Sequence, residues 1–303
     1  MSTPRPGGTR FATRGNSRIA YDPGAPADPD SPTIVMLHSL LADRSAFAAQ
    51  REALGERYRI IAPDARGHGA SATLANQWYT VGELAQDVLA ILDAEGITQV
   101  HLVGHELGGV TGLELARRAP NRVASLMLIE PAVASILDID SAPDAAQART
   151  AARTSDREVG DAAYKGLTDT ALDGYLIPRW GPNWRQVIST PRFGAVRRHA
   201  GALAGIIPAL DSFTVDRADF RAISVPALLV IGEDATPLAR VTAERLATLL
   251  PDARTEMVHL GSRPNNPFGG DAAAPINALV TSQIEATTDH ERKAQPRGTE
   301  GKE

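Results

Sequence analysis

The chain has 303 residues, 43% hydrophobic and 22% charged, with a formal net charge of −5 at pH 7. That length supplies one globular core with a sizeable insertion, or two domains, and the acidic balance argues against a nucleic-acid surface. There is no cysteine, which excludes disulfides, thiolate catalysis and Cys-ligated zinc.

The N-terminal stretch Met1 to Arg10 is polar and lacks the apolar core of a signal peptide. No apolar run reaches membrane-spanning length. A soluble cytoplasmic protein with a small-molecule partner, and with neither membrane nor nucleic acid, is the expectation. Residues 1–8 are rich in Pro and Gly and should fray. Arg10 to Ala12 and Arg18 to Tyr21 read as short strands joined by a Gly-Asn turn. Thr33 to Leu37 is a continuous apolar run, as in a parallel strand covered on both faces. A helix from Ala46 to Leu54 and a strand from Tyr58 to Ala62 follow, and then the segment Pro63-Asp64-Ala65-Arg66-Gly67-His68-Gly69-Ala70-Ser71. Val81, Leu84, Val88, Ile91 and Leu92 recur at helical spacing, and Gly96 ends that helix.

Val100 to Val103 is a short apolar strand that runs into Gly104-His105-Glu106-Leu107-Gly108-Gly109, with an Ala-rich helix beyond. In a Gly-x-Ser-x-Gly sequence this strand–turn–helix is the nucleophile elbow. Its glycines answer crowding around a strained turn that lifts the central side chain above the sheet at a helix N-terminus. Here the central residue is Glu106.

Val123 to Ile129 is another buried strand, ending in Glu130-Pro131. Residues 132–220 then lack strand-like runs and read as helical; they carry Tyr164, Tyr175, Trp180 and Trp184. Alternation resumes with a strand from Val225 to Ile231, a helix from Ala239 to Leu250, a strand from Thr255 to Leu260, a Gly/Pro/Asn-rich loop and a closing helix from Ala274 to Ala286. The charged segment 287–303 reads as a disordered tail. Strands alternating with helices over short connections predict an α/β fold with a mostly parallel, doubly wound sheet.

With these pieces placed, residues 10–286 resemble the α/β-hydrolase superfamily. Leu37-His38-Ser39-Leu40 resembles the loop that supplies one oxyanion amide, and residues 63–71 resemble the Asp-x-Arg-Gly-x-Gly-x-Ser segment. Residues 104–109 match the elbow everywhere but at its centre. The resemblance implies a core of residues 1–131 and 221–286 and a helical cap over 132–220. It also implies a triad. Its acid is Glu130 or Asp234, with a helix N-cap as the structural alternative for Asp234. Its histidine is His259, unless that residue lies inside the last strand, in which case Arg263, Pro264 or Asn265 holds the histidine's place. Ser39, Leu40, Leu107, His38 and His105 would flank the oxyanion position. His38 and His68 read more simply as organisers of their loops, and His101 as a packed strand residue. Tyr164, Tyr175, Trp180 and Trp184 would line the pocket under the cap, or form only the cap's core.

A carboxylate at the elbow needs no base to become nucleophilic. Relatives with Asp there open epoxides or displace halide through an alkyl-enzyme ester, which a histidine-activated water then cleaves. A glutamate can instead transfer protons. The superfamily includes lyases, cofactor-free oxygenases and cyclases, and such acid–base chemistry on a bulky, largely apolar metabolite, as in bacterial secondary metabolism, is the first expectation. Epoxide hydrolysis through Glu106 is the second, and a non-catalytic small-ligand binder the third. Neither cofactor nor metal is implied: no Gly-x-Gly-x-x-Gly is present, and no His/Asp/Glu spacing suits a metal.

Overall fold

The computed structural model describes residues 8–25, 28–71, 79–139, 143–260 and 268–294. Eight strands form one sheet: β1 (Arg10–Arg14), β2 (Ser17–Asp22), β3 (Thr33–Leu37), β4 (Arg59–Pro63), β5 (Val100–His105), β6 (Val123–Ile129), β7 (Ala227–Gly232) and β8 (Ala253–Val258), in the order β1-β2-β4-β3-β5-β6-β7-β8. The first two strands join antiparallel, and every pair from β4 to β8 is parallel.

The continuous apolar runs follow from cover on both faces. In β3, Val35 and Leu37 join the core under α2 (Val81–Ala94), α3 (Leu107–Arg118) and α10 (Pro237–Leu249), while Ile34 and Met36 join the opposite core against α1 (Ala48–Leu54) and α11 (Ala273–Ala294). Helix α2 starts on a capping box: Thr80 Oγ1 accepts from the Glu83 amide at 3.1 Å, and the Thr80 amide donates to Glu83 Oε2 at 3.0 Å.

Between β6 and β7 the described residues form six α-helices: α4 (Pro143–Tyr164), α5 (Thr168–Trp180), α6 (Trp184–Val187), α7 (Thr190–His199), α8 (Leu203–Ser212) and α9 (Arg217–Arg221). They pack around Leu172, Leu176, Trp184, Val196, Leu203 and Ile206, all fully buried.

Two sequence expectations need correction. The last strand ends at Val258, so His259 is the first residue beyond it. The tail does not begin at Thr287: α11 runs to Ala294. The hydroxyls of Thr287 and Thr288 bond back to the carbonyls of Gln283 and Ile284, and Thr287 is 4% exposed, so polar composition there marks a helix's outer face. Residues 295–303 lie outside the described residues.

The Pro63–Ser71 segment is structural. Asp64 accepts from the amides of Arg44 and Ala70 at 2.8 and 2.7 Å, and Ser71 Oγ donates to Asp64 O at 2.6 Å. Arg66 forms a buried two-point pair with Asp87 of α2 at 2.5 and 2.8 Å.

Candidate active site

Glu106 sits between β5 and α3 with φ 45° and ψ −104°, in the left-handed half of backbone space that a residue with a Cβ rarely enters. Its amide donates to Ile129 O at 3.0 Å, and its carbonyl accepts from the amides of Ala132 and Val110 at 3.0 and 3.1 Å. The turn is thus tied to the end of β6 and to its own helix. The glycines are required by contact. A Cβ on Gly104 would run into the Gly108 carbonyl, one on Gly108 into Leu37 O, and one on Gly109 would lie 2.9 Å from Pro131 Cβ. Gly108→Ala is therefore expected to cost about 3 kcal/mol or more, since the atom it meets is backbone. An unchanged urea midpoint would show that the elbow can relax.

Glu130 follows directly on β6 with φ 43° and is 4% exposed. Its Oε1 accepts from the Gly232 amide at 3.1 Å. A Cβ on Gly232 would meet Glu130 Oε1 at 2.6 Å and Asp234 Oδ1 at 3.3 Å, so the two acid candidates converge on the end of β7. Asp234 is not the N-cap of α10. That role belongs to Thr236, whose hydroxyl accepts from the Ala239 amide at 3.2 Å.

Glu106, Glu130, Tyr175 and Arg179 line both a cavity of about 420 Å³ and a narrower extension of it. Ser39, Leu40, His105, Trp180, Arg192 and Leu260 complete the extension. The large lobe runs between cap and core past Val133, Ile207, Leu210 and Leu238, with Arg149, Asp156 and Asp211 also on its wall. Among the described residues no group of His, Asp and Glu is arranged to hold a metal, and no helix is long and apolar enough to cross a membrane.

The cap brings cations to this space. Burial opposes the charge of Arg179, but Tyr175, Glu106 and Asp156 outweigh it and raise its pKa. Its guanidinium lies 3.8 Å from the Tyr175 ring centroid and donates to Tyr175 O at 2.9 Å. Burial lowers the pKa of Arg192 despite Glu106, Asp43 and Tyr175. Burial also raises Tyr175 and Asp156. Tyr175 and Arg179 are four apart on one helix, a spacing that could have drawn attention in the sequence. Arg192 carries no such signal, because only the folding of α7 over Leu41 brings it to the cavity.

The other candidates separate. Tyr164 is 69% exposed at the end of α4, away from the pocket. Trp184 is wholly buried in the cap, near Trp180 and Phe193, with its Nε1 donating to Asp173; it is core, as aromatic bulk in a small cap demands. Tyr175 and Trp180 line the cavity. His38 is tied down by Ser39 O at 2.8 Å and the Ala65 amide at 2.9 Å, and His68 by Arg66 O and the Leu41 amide. Both therefore hold loops together. With Leu107, His38 borders a small space beneath the elbow instead of the cavity. His259 is turned outward: its side chain is 67% exposed, 3.4 Å from Glu233 Oε2, and does not line the cavity. Arg263, Pro264 and Asn265 lie outside the described residues, and 261–267 contains no histidine.

Strand order, elbow and cap define a family. Residues 32–261 match the family described as alpha/beta hydrolase fold, and the chain belongs to it. It is 33% identical over 269 residues to a relative named carbamate hydrolase RutD from Variovorax paradoxus, covering 86% of this chain and 92% of that one. A hydrolase from Pseudomonas aeruginosa superposes with a TM-score of 0.73 at 25% identity, covering 92% of this chain and 98% of that one. The enol-lactonase from Burkholderia xenovorans superposes with a TM-score of 0.71 at 23% identity, covering 91% and 100%, a likeness of fold alone.

Proposed function

We propose that this chain is a non-serine member of its family in which Glu106 transfers protons on a small organic substrate, in a lyase-, cyclase- or other bond-forming reaction without hydrolysis. The observation that carries the reading is the position of Glu106 at the elbow, on the wall of a cavity that His259 does not reach. A glutamyl ester needs an imidazole-activated water for its release. His259 faces Glu233, and residues 261–267 offer no other histidine.

A carboxylate at the elbow can remove a proton from carbon next to a carbonyl, leaving the electron pair on oxygen as an enolate. At the oxyanion position of the family, the amide of Leu40 on this wall, joined by the backbone amide of Leu107 at the head of α3, whose side chain borders the space beneath the elbow, would receive that charge. The enolate then expels a β-substituent or attacks a second carbonyl. Tyr175, kept neutral by burial, presents a hydroxyl on the same wall.

Ethyl benzoylacetate in D2O tests this, because one tube reports both proton exchange at its CH2 and ethanol release. The expected result is exchange faster than buffer, absent in Glu106→Gln, without ethanol. Ethanol release, or Glu106-dependent conversion of styrene oxide to its diol, would replace this reading by hydrolysis. Neither exchange nor turnover would replace it by ligand binding alone.

A further inference from the structure

Arg192 of α7 reaches the cavity with one edge of its guanidinium committed: Nη1 donates to Leu41 O at 3.1 Å. Its Nε is buried and makes no hydrogen bond among the described residues. The Nε and Nη2 hydrogens form the side-on fork that matches the two oxygens of a carboxylate. Buried donors of a charged group are ordinarily satisfied, so this one marks a place for an acceptor that the described residues do not supply. Arg179 stands on the same wall, held over Tyr175, and is a second cation. Glu106 and Glu130 on that wall disfavour a dianion such as a phosphate monoester and leave room for a single negative charge. Beyond it opens the lobe of about 420 Å³, bounded by Val133, Ile207, Leu210 and Leu238. That is within the range of about 300–1,000 Å³ typical of sites for drug-sized ligands.

We propose that Arg192, supported by Arg179, is the subsite for a substrate carboxylate, so that the substrate is an organic monocarboxylate whose apolar body occupies the large lobe. This rests on the acid–base reading for its reaction, though not for its binding. The cap arginines fix one end of the molecule, and the carbon beside its carbonyl then lies against Glu106. Arg192 also joins cap to core through Leu41, so the carboxylate would bind where the cap closes.

The test is calorimetric titration of the full-length protein with 4-oxo-4-phenylbutanoate and with its primary amide, which keeps the shape and removes the charge. The acid should bind at least about tenfold tighter than the amide. Arg192→Gln should abolish that preference, and Arg192→Lys, which keeps charge without the fork, should recover only part of it. Arg179→Gln gives a second variant in case Arg192→Gln fails to fold by circular dichroism, and it should weaken the acid alone. Glu106→Gln should bind the acid as well as, or more tightly than, the parent. Equal binding of acid and amide, no binding of either at millimolar concentration, or a preference untouched in both arginine variants would overturn the proposal. Acid-selective binding without proton exchange on ethyl benzoylacetate would keep the subsite and sink the acid–base reading. Exchange without acid selectivity would do the reverse.

Discussion

Glu106→Gln should lower the rate of proton exchange by about 10²- to 10⁴-fold, the usual contribution of a positioned acid–base group. The amide keeps the side chain's length and fills the same place between β5 and α3 but cannot accept the proton. Its backbone makes the three bonds to Ile129, Ala132 and Val110, so the elbow should persist by circular dichroism, while loss of the charge facing Arg179 and Arg192 should lower the urea midpoint somewhat. Glu106→Asp withdraws the carboxylate by about one ångström and should retain some activity, near one hundredth of the parent. Glu106→Ser should hydrolyse p-nitrophenyl acetate no faster than buffer, because His259, the residue at the end of the last strand, is turned away from the elbow toward Glu233. An efficient esterase from that change would show that a histidine does reach the elbow, and it would restore hydrolysis through a triad.

The second large effect is on stability against pH. His38, His68 and His199 form a buried chain with ring centroids 5.1 and 5.3 Å apart, linking the Leu37–Leu41 loop, the Pro63–Ser71 segment and cap helix α7. Burial lowers the pKa of each, and lowers His101 to about 4. Each ring accepts or shares a hydrogen bond that a second proton would disrupt: amides of Ala65, Leu41 and Gly69 donate to the Nε2 atoms of His38, His68 and His199. The unfolded chain takes up these protons near 6.5, above the folded pKa values. Stability is therefore complete above that pH and declines as the pH falls below it toward each folded value. The decline is about 1.4 kcal/mol per pH unit for each histidine, so His101 alone accounts for roughly 3 kcal/mol between pH 6.5 and 4. Urea unfolding at pH 7, 6 and 5 reads this in a window above the carboxylates. His101→Gln should shallow the slope by one proton, and equal midpoints at pH 7 and 5 would contradict the burial of all four rings.

Much of this protein is set by local sequence. The elbow was legible because its glycines answer contacts within a few residues or with the adjacent strand, and a crowded turn leaves the same small-residue spacing wherever it occurs. The sheet was legible because strands covered on both faces must be apolar at every position, as Thr33–Leu37 and Val123–Ile129 are. The roles of His38 and His68 could be anticipated from their place in tight loops, while their stacking with His199 could not, since that partner arrives from a helix 130 residues after Gly69.

What required the tertiary structure was everything decided by packing between distant segments. Polarity alone misplaced the end of α11, because a helix that needs only one buried face can be charged on the others. Tyr164 and Trp184 carry the same aromatic signal as Tyr175 and Trp180, yet one faces solvent, one fills the cap core, and two reach the cavity. In the sequence Asp234 reads equally as a triad acid or as a helix cap; the cap bond belongs to Thr236, which leaves Asp234 beside Glu130. Of the cations that face Glu106, Arg179 shows in the sequence only as a helical neighbour of Tyr175, and Arg192 carries nothing in its own neighbourhood that announces a site. Sequence determined where the Glu106 side chain is held, because a backbone turn is a local solution; only the folding of the cap over it decided which charges surround that side chain, because a cavity wall is assembled from residues far apart in the chain.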